Sequence, residues 1–138
     1  MSTPPSASEI VDQMMARDAF SQWLGIERLA EAPGACSLRM QIRPDMLNGF
    51  GIAHGGITFS LADSALAFAS NSQGQHAVSI EASINHLAPV HSGDVLVATA
   101  RELHRSRRLA HYQVEVTRGD GEKVALFKGV VYRKEQHW

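Results

Sequence analysis

The segment Gly55-Gly56-Ile57-Thr58-Phe59-Ser60-Leu61-Ala62-Asp63-Ser64-Ala65-Leu66-Ala67-Phe68-Ala69-Ser70-Asn71-Ser72 decides how the chain is read. Its apolar side chains fall on all sides of a 3.6-residue period, which predicts a buried helix starting at Gly55-Gly56. The flanking sequence alternates with period two instead. Cys36, Leu38, Met40 and Ile42 interleave with Ser37, Arg39 and Gln41, and a Pro33-Gly34 turn separates this run from Ile26 to Ala30. Downstream, Val78, Ile80, Ala82 and Ile84 alternate with polar residues, and runs at Val95 to Leu103, Leu109 to Thr117 and Val124 to Tyr132 follow. Gly119-Asp120-Gly121 marks a hairpin turn between the last two. Connections this short favour antiparallel neighbours in a meander. One long buried helix with about six such strands is an α+β arrangement, a single antiparallel sheet wrapped around the helix.

Further out, Ile10, Val11, Met14 and Met15 fit one face of a helix from about Glu9 to Asp18, with Ser8 as its N-cap and Gly25 as a stop. Residues 1–8 are expected to be a flexible tail and residues 9–138 one domain, as the total of 138 residues suggests. With 44% hydrophobic residues the chain can bury a core, and a net charge of −1 gives no global field to gather nucleic acid. The longest apolar run is five residues, Ala65 to Ala69, so no membrane span is expected. The start Met1-Ser2-Thr3-Pro4-Pro5 lacks the basic and apolar regions of a secretory signal, which points to the cytoplasm. The single Cys36 excludes an internal disulfide. The seven histidines show no metal-ligand spacing, so neither metal nor cofactor is expected.

Between Met46 and Ile80 the one formal charge is Asp63, in the middle of the helix read as buried. An unpaired buried carboxylate is costly and calls for a partner, a wet cleft or a function. The structural alternative is a solvent gap or an ion pair with a distant arginine such as Arg39 or Arg43. Upstream, Asn48, His54, Gly55 and Gly56 form a polar cluster in an apolar stretch. Gly-Gly at a helix start leaves N–H groups open, where the helix dipole adds partial positive charge. Such donors suit a developing oxyanion, although close helix–sheet packing explains the same glycines.

Taken together, Leu47-Asn48-Gly49 … His54-Gly55-Gly56 … Ser60-Leu61-Ala62-Asp63 resembles the hotdog-fold acyl-CoA thioesterases, in particular the phenylacetic-acid-degradation branch. The likeness runs from about Phe20 to Tyr132 and includes Ala69-Ser70-Asn71-Ser72-Gln73-Gly74, Leu87-Ala88-Pro89 and Gly93-Asp94. It implies a sheet wrapped around the central helix, and homodimers that pair again into a dimer of dimers. It implies hydrolysis of acyl-CoA, with an arylacetyl or hydroxylated aromatic acyl group leading. Asp63 matches the carboxylate that attacks the thioester or activates water, and both routes fit the sequence. Gly55 matches the N–H donor to the carbonyl, with Gly56 beside it, and Asn48 matches the polar side chain that orients substrate or water. His54 matches the first residue of the His-Gly-Gly turn. Where some relatives carry a threonine one turn after the carboxylate, this chain has Ala67, so no water-holding hydroxyl is assigned and Ser64 or a residue of another element is left to substitute.

Arg105, Arg107 and Arg108 are the densest basic cluster and are candidates for the phosphates of coenzyme A, against a plain solvated turn. Two other functions stay open for this fold. An enoyl-CoA hydratase or dehydratase would need an acid–base pair that His54, nine residues before Asp63, does not supply in the usual pattern. A non-catalytic acyl-CoA binding module would bind without turnover. Helix arithmetic adds one expectation. Gly55 and Asp63 are ~12 Å apart along a helix, too far to flank one carbonyl. A two-fold axis that sets two such helices antiparallel would bring Asp63 of one subunit to Gly55 of the other, so the active site is expected to be shared.

Overall fold

The computed structural model describes residues 3–138. The sheet is built from β1 (Glu27–Ala32), β2 (Ala35–Gln41), β3 (Gln75–His86), β4 (Val95–Arg105), β5 (Leu109–Arg118) and β6 (Lys123–His137). All pairings are antiparallel, in the order β1-β2-β4-β5-β6-β3. Helix α3 (Gly55–Asn71) lies in the curve of this sheet and touches every strand from β2 to β6. That is the hotdog arrangement. The meander expectation holds for β4-β5-β6 but not for β3, which sits at the far edge beside β6. The reason is α3 itself, which carries the chain across the sheet's inner face before β3 begins.

The core is where period-two faces meet the helix. Leu38 and Met40 from β2, Leu96 and Ala98 from β4, Tyr112 and Val114 from β5 and Phe127 from β6 are all buried against Leu61, Ala65, Leu66 and Phe68. The helix packs tightly at Gly129 on β6, where a Cβ would stand 2.5 Å from Leu66 Cδ2. The helix is not covered on all sides, however. Gly56, Ser60, Asp63 and Ala67 form a less buried stripe at helical spacing. Asp63 therefore avoids full burial by lying on the one face that the sheet leaves open.

At the N-terminal end, α1 (Ala7–Ala16) starts earlier than expected. Ser6, not Ser8, is its cap: Ser6 Oγ accepts the Glu9 N–H at 3.1 Å, and the Glu9 carboxylate accepts the Ser6 N–H. Of the expected tail, Met1 and Ser2 lie outside the described residues, while Ala7 and Ser8 are helical. The helix ends at Ala16, and a separate short helix α2 (Ala19–Leu24) runs on to Gly25. Asp18 caps it by accepting the Ser21 N–H at 2.9 Å, a role the sequence reading did not give that residue. Among the described residues no helix is long and apolar enough to cross a membrane.

Candidate active site

The loop from β2 to α3 builds the first half of the site. Asn48 Oδ1 accepts the N–H of Phe50 at 2.9 Å and of Ile52 at 3.4 Å, which folds the loop back on itself. With its oxygen committed, Asn48 has its Nδ2 donors left for a ligand. His54 is the N-cap of α3, and its Nδ1 accepts the Gly56 N–H at 3.0 Å. Nδ1 must be unprotonated for that bond, so a neutral His54 carries its proton on Nε2. The Ile57 N–H donates to the His54 carbonyl at 2.9 Å. Of the first three N–H groups of α3, Gly55 alone has no partner among the described residues. This narrows the expectation for the glycine pair. The Gly56 N–H is engaged by His54, which leaves Gly55 as the open backbone donor of the pair.

The unpaired Gly55 N–H borders a cavity of about 340 Å³ lined by Asn48, Ile52, Gly55, Thr58 and His86 and closed by Leu87 to Val90. Asp63 borders a different cavity, of about 270 Å³, lined by Met14, Leu66, Ala67, Val78, Ser79 and Val131 among others. The two share no residue. Within one chain, the expected donor and the expected carboxylate are thus held apart, as helix arithmetic requires.

Asp63 makes no hydrogen bond or ion pair among the described residues. The arginines considered for it are engaged elsewhere, Arg39 with Glu27 at 2.8 Å and Arg43 with Asp45 at 3.1 Å. Partial burial pushes the Asp63 carboxyl above its ordinary range, and the nearby Asp18 charge adds to this. Asp18 is itself held by Ser21, whose Oγ lies 2.8 Å from Ser64 Oγ. That bond points Ser64 into the core, so Ser64 does not replace the hydroxyl missing at Ala67. Two hydroxyls border the Asp63 cavity: Ser70, whose Oγ donates to the Ala67 carbonyl at 3.2 Å, and Ser79 on β3, which has no side-chain partner among the described residues. Sequence reasoning did not select it, because Ser79 is one of several polar residues alternating along that strand. His86 carries no such signal either, being one of seven histidines without a ligand spacing.

The arginine cluster sits elsewhere, on the β4–β5 turn. Arg105 donates to Gln73 just beyond the C-terminal end of α3, and its Nε lies 3.2 Å from Glu102. Gln73 in turn donates to Tyr112 Oη at 2.9 Å, so Arg105 belongs to a structural network. Arg108 pairs with Glu135 at 2.9 Å. Only Arg107 of the three has no side-chain partner among the described residues. The cluster does not border the Gly55 cavity of its own chain. Among the described residues no group of three or more His, Cys, Asp or Glu is placed to hold a metal ion. Cys36, on β2, is buried with its thiol pushed up to about 12 by desolvation, which does not suit a nucleophile.

Residues 50–125, which hold α3, Asp63 and most of the sheet, match the model of the thioesterase superfamily. The chain belongs to the thioesterase superfamily. Acyl-coenzyme A thioesterase PaaI of Escherichia coli is 39% identical over 120 residues, covering 87% of this chain and 86% of that protein. The solved structure of the E. coli PaaI protein, from the phenylacetic acid degradation operon, superposes with a TM-score of 0.93. It covers 95% of each chain at 37% identity. A hypothetical thioesterase of Streptococcus pneumoniae, solved with coenzyme A, superposes with a TM-score of 0.79 at 26% identity, over 82% of this chain and 91% of that one. This thioesterase therefore has the hotdog fold expected of it, and thioester hydrolysis is the chemistry of its family.

Proposed function

We propose that the protein hydrolyses acyl-CoA thioesters, with an arylacetyl or hydroxylated aromatic acyl group preferred, in a site shared between two subunits. One observation carries the reading: the free Gly55 N–H and the unpaired Asp63 carboxylate border separate cavities at opposite ends of strand β3. β3 is an edge strand of twelve residues, with Val78 and Ile80 44% and 58% exposed. Ala77 to Ser79 border the Asp63 cavity and His86 borders the Gly55 cavity. If β3 pairs antiparallel with its copy across a two-fold axis near its middle, the 77–79 end of one strand meets the 84–86 end of the other. Each half-site then faces the complementary half of the second subunit.

In such a site the thioester carbonyl oxygen accepts the Gly55 N–H at the positive end of α3, which stabilises the oxyanion. Asn48 Nδ2 orients substrate or water, and His54 holds the turn through Gly56. Asp63 of the partner subunit, ionised, attacks the carbonyl carbon or takes a proton from water, and the Ser79 hydroxyl, which borders the same cavity, is the candidate to hold that water. The thiolate leaves readily, so no strong general acid is required. The apolar walls around Asp63 (Met14, Leu66, Val78, Val131) suit a compact acyl group. The similarity to PaaI supports the aromatic preference. Arg107, the one arginine of the β4–β5 turn without a side-chain partner among the described residues, is the candidate for binding the coenzyme A phosphates.

A hydrolysis screen across arylacetyl-, hydroxybenzoyl- and aliphatic acyl-CoAs, read with a thiol-reactive dye, tests the reading. Turnover fastest on aromatic acyl groups and lost in Asp63→Asn supports it. Thiol release no faster than in Asp63→Asn contradicts thioester hydrolysis, and release fastest on long aliphatic chains contradicts the aromatic preference.

A further inference from the structure

His86 ends strand β3 where the chain turns into Leu87-Ala88-Pro89, and its ring lies against the open face of Gly55. A Cβ at Gly55 would stand 3.0 Å from His86 Nε2 and 3.3 Å from Cε1, so the ring takes the space a side chain would fill. From standard backbone dimensions, the Gly55 nitrogen is ~2.5 Å from its own Cβ position, which places His86 Nε2 within ~5.5 Å of the Gly55 nitrogen. Two donors at that separation can share one acceptor oxygen, since each needs only ~2.9 Å to it. His86 makes no side-chain hydrogen bond or ion pair among the described residues, and it borders the same cavity as Gly55 and Asn48.

We infer that His86 is a second hydrogen-bond donor to the thioester carbonyl oxygen, with its proton on Nε2, completing an oxyanion hole that Gly55 begins. This rests on the thioesterase reading above. A single backbone N–H leaves a tetrahedral oxyanion underprovided, because the oxygen gains a full charge and has room for further donors. The Gly56 and Ile57 N–H groups are already committed, so the helix start offers no other backbone donor. His86 supplies one from the neighbouring strand. The same geometry gives Gly55 a reason to lack a side chain beyond backbone freedom: a Cβ there would press on the ring.

The test compares His86→Phe, which keeps a flat ring but has no donor, with His86→Gln, whose amide can still donate. Both are assayed on the best acyl-CoA substrate of the unsubstituted enzyme. His86 is exposed in the single chain, and circular dichroism verifies that both variants fold. The expected result is a ~10–10²-fold loss of kcat in His86→Phe with KM changed less than about threefold, and partial recovery of kcat in His86→Gln. A kcat in His86→Phe within twofold of the unsubstituted enzyme overturns the inference, as does an equal loss in both folded variants. If the unsubstituted enzyme itself hydrolyses no thioester, the proposed function fails instead, so the two failures are distinct.

Discussion

Asp63 holds a charge where the fold disfavours one, and this fixes two expectations at the scale of a single residue. Its carboxyl is shifted above the ordinary value of 3.8 by desolvation and by Asp18. A group that binds its proton more tightly folded than unfolded lowers stability as pH rises through that interval. Asp63→Asn, nearly isosteric, removes the penalty. It should melt higher than the unsubstituted protein at neutral pH, and the difference should vanish below about pH 3.8, where both states are protonated. In the same variant kcat should fall by ~10²–10⁴-fold. A thermal melt series in pH and steady-state kinetics check the two parts, and a variant that is neither stabilised nor impaired would make Asp63 a bystander. In the proposed mechanism Asp63 acts ionised, so the acid limb of kcat/KM should bend above pH 3.8, not at it. Much at this scale was legible from sequence, since one charge in an uncharged stretch draws attention. Ser79 and His86 were not, because nothing in their spacing ties them to Asp63 or Gly55. Only the return of β3 alongside α3 brings them there.

At the scale of elements, α3 rests on β6 through Gly129, and the sheet has no slack there. Gly129→Ala would drive a methyl into Leu66 of the buried helix face, an overpacking that costs ~1–3 kcal/mol. Urea denaturation should show that loss, and an unchanged midpoint would mean that the helix can shift on the sheet at little cost. The β4–β5 turn gives a second expectation. Arg105 and Arg108 are tied to Glu102 and Glu135, which leaves Arg107 as the proposed phosphate contact. Arg107→Gln should raise KM for acyl-CoA with little change in kcat, and leave acyl-pantetheine unaffected. Equal defects on both substrates would assign the turn to assembly. Period-two alternation located the strands within a few residues. It could not place β3 at the far edge, because alternation reports which face is buried and carries no information on which neighbour pairs. The break at Arg17-Asp18 was missed for a related reason: α2 is six residues long, too short for its periodicity to stand out from that of α1.

At the scale of the whole molecule, the proposed dimer links the exposed β3 edge to the two separated cavities. An edge strand that exposes Val78 and Ile80 invites pairing, and pairing with its own copy would join the half-sites. Ile80→Lys, in the middle of that edge, should shift the protein to monomer and abolish hydrolysis together, as light scattering and kinetics on the same sample would show. Complementation tests the shared site most directly. Asp63→Asn removes the carboxylate, while Gly55→Pro removes the backbone donor at a first helical position, where proline suits the backbone but its ring meets His86, so the folding of that variant is verified separately. Each variant alone should be inactive. When the two are unfolded and reassembled together, half of the dimers are mixed, and each mixed dimer carries one doubly damaged site and one intact site. Roughly a quarter of unsubstituted activity should return. Verified mixed dimers that remain inactive would contradict a site built from Gly55 of one subunit and Asp63 of the other.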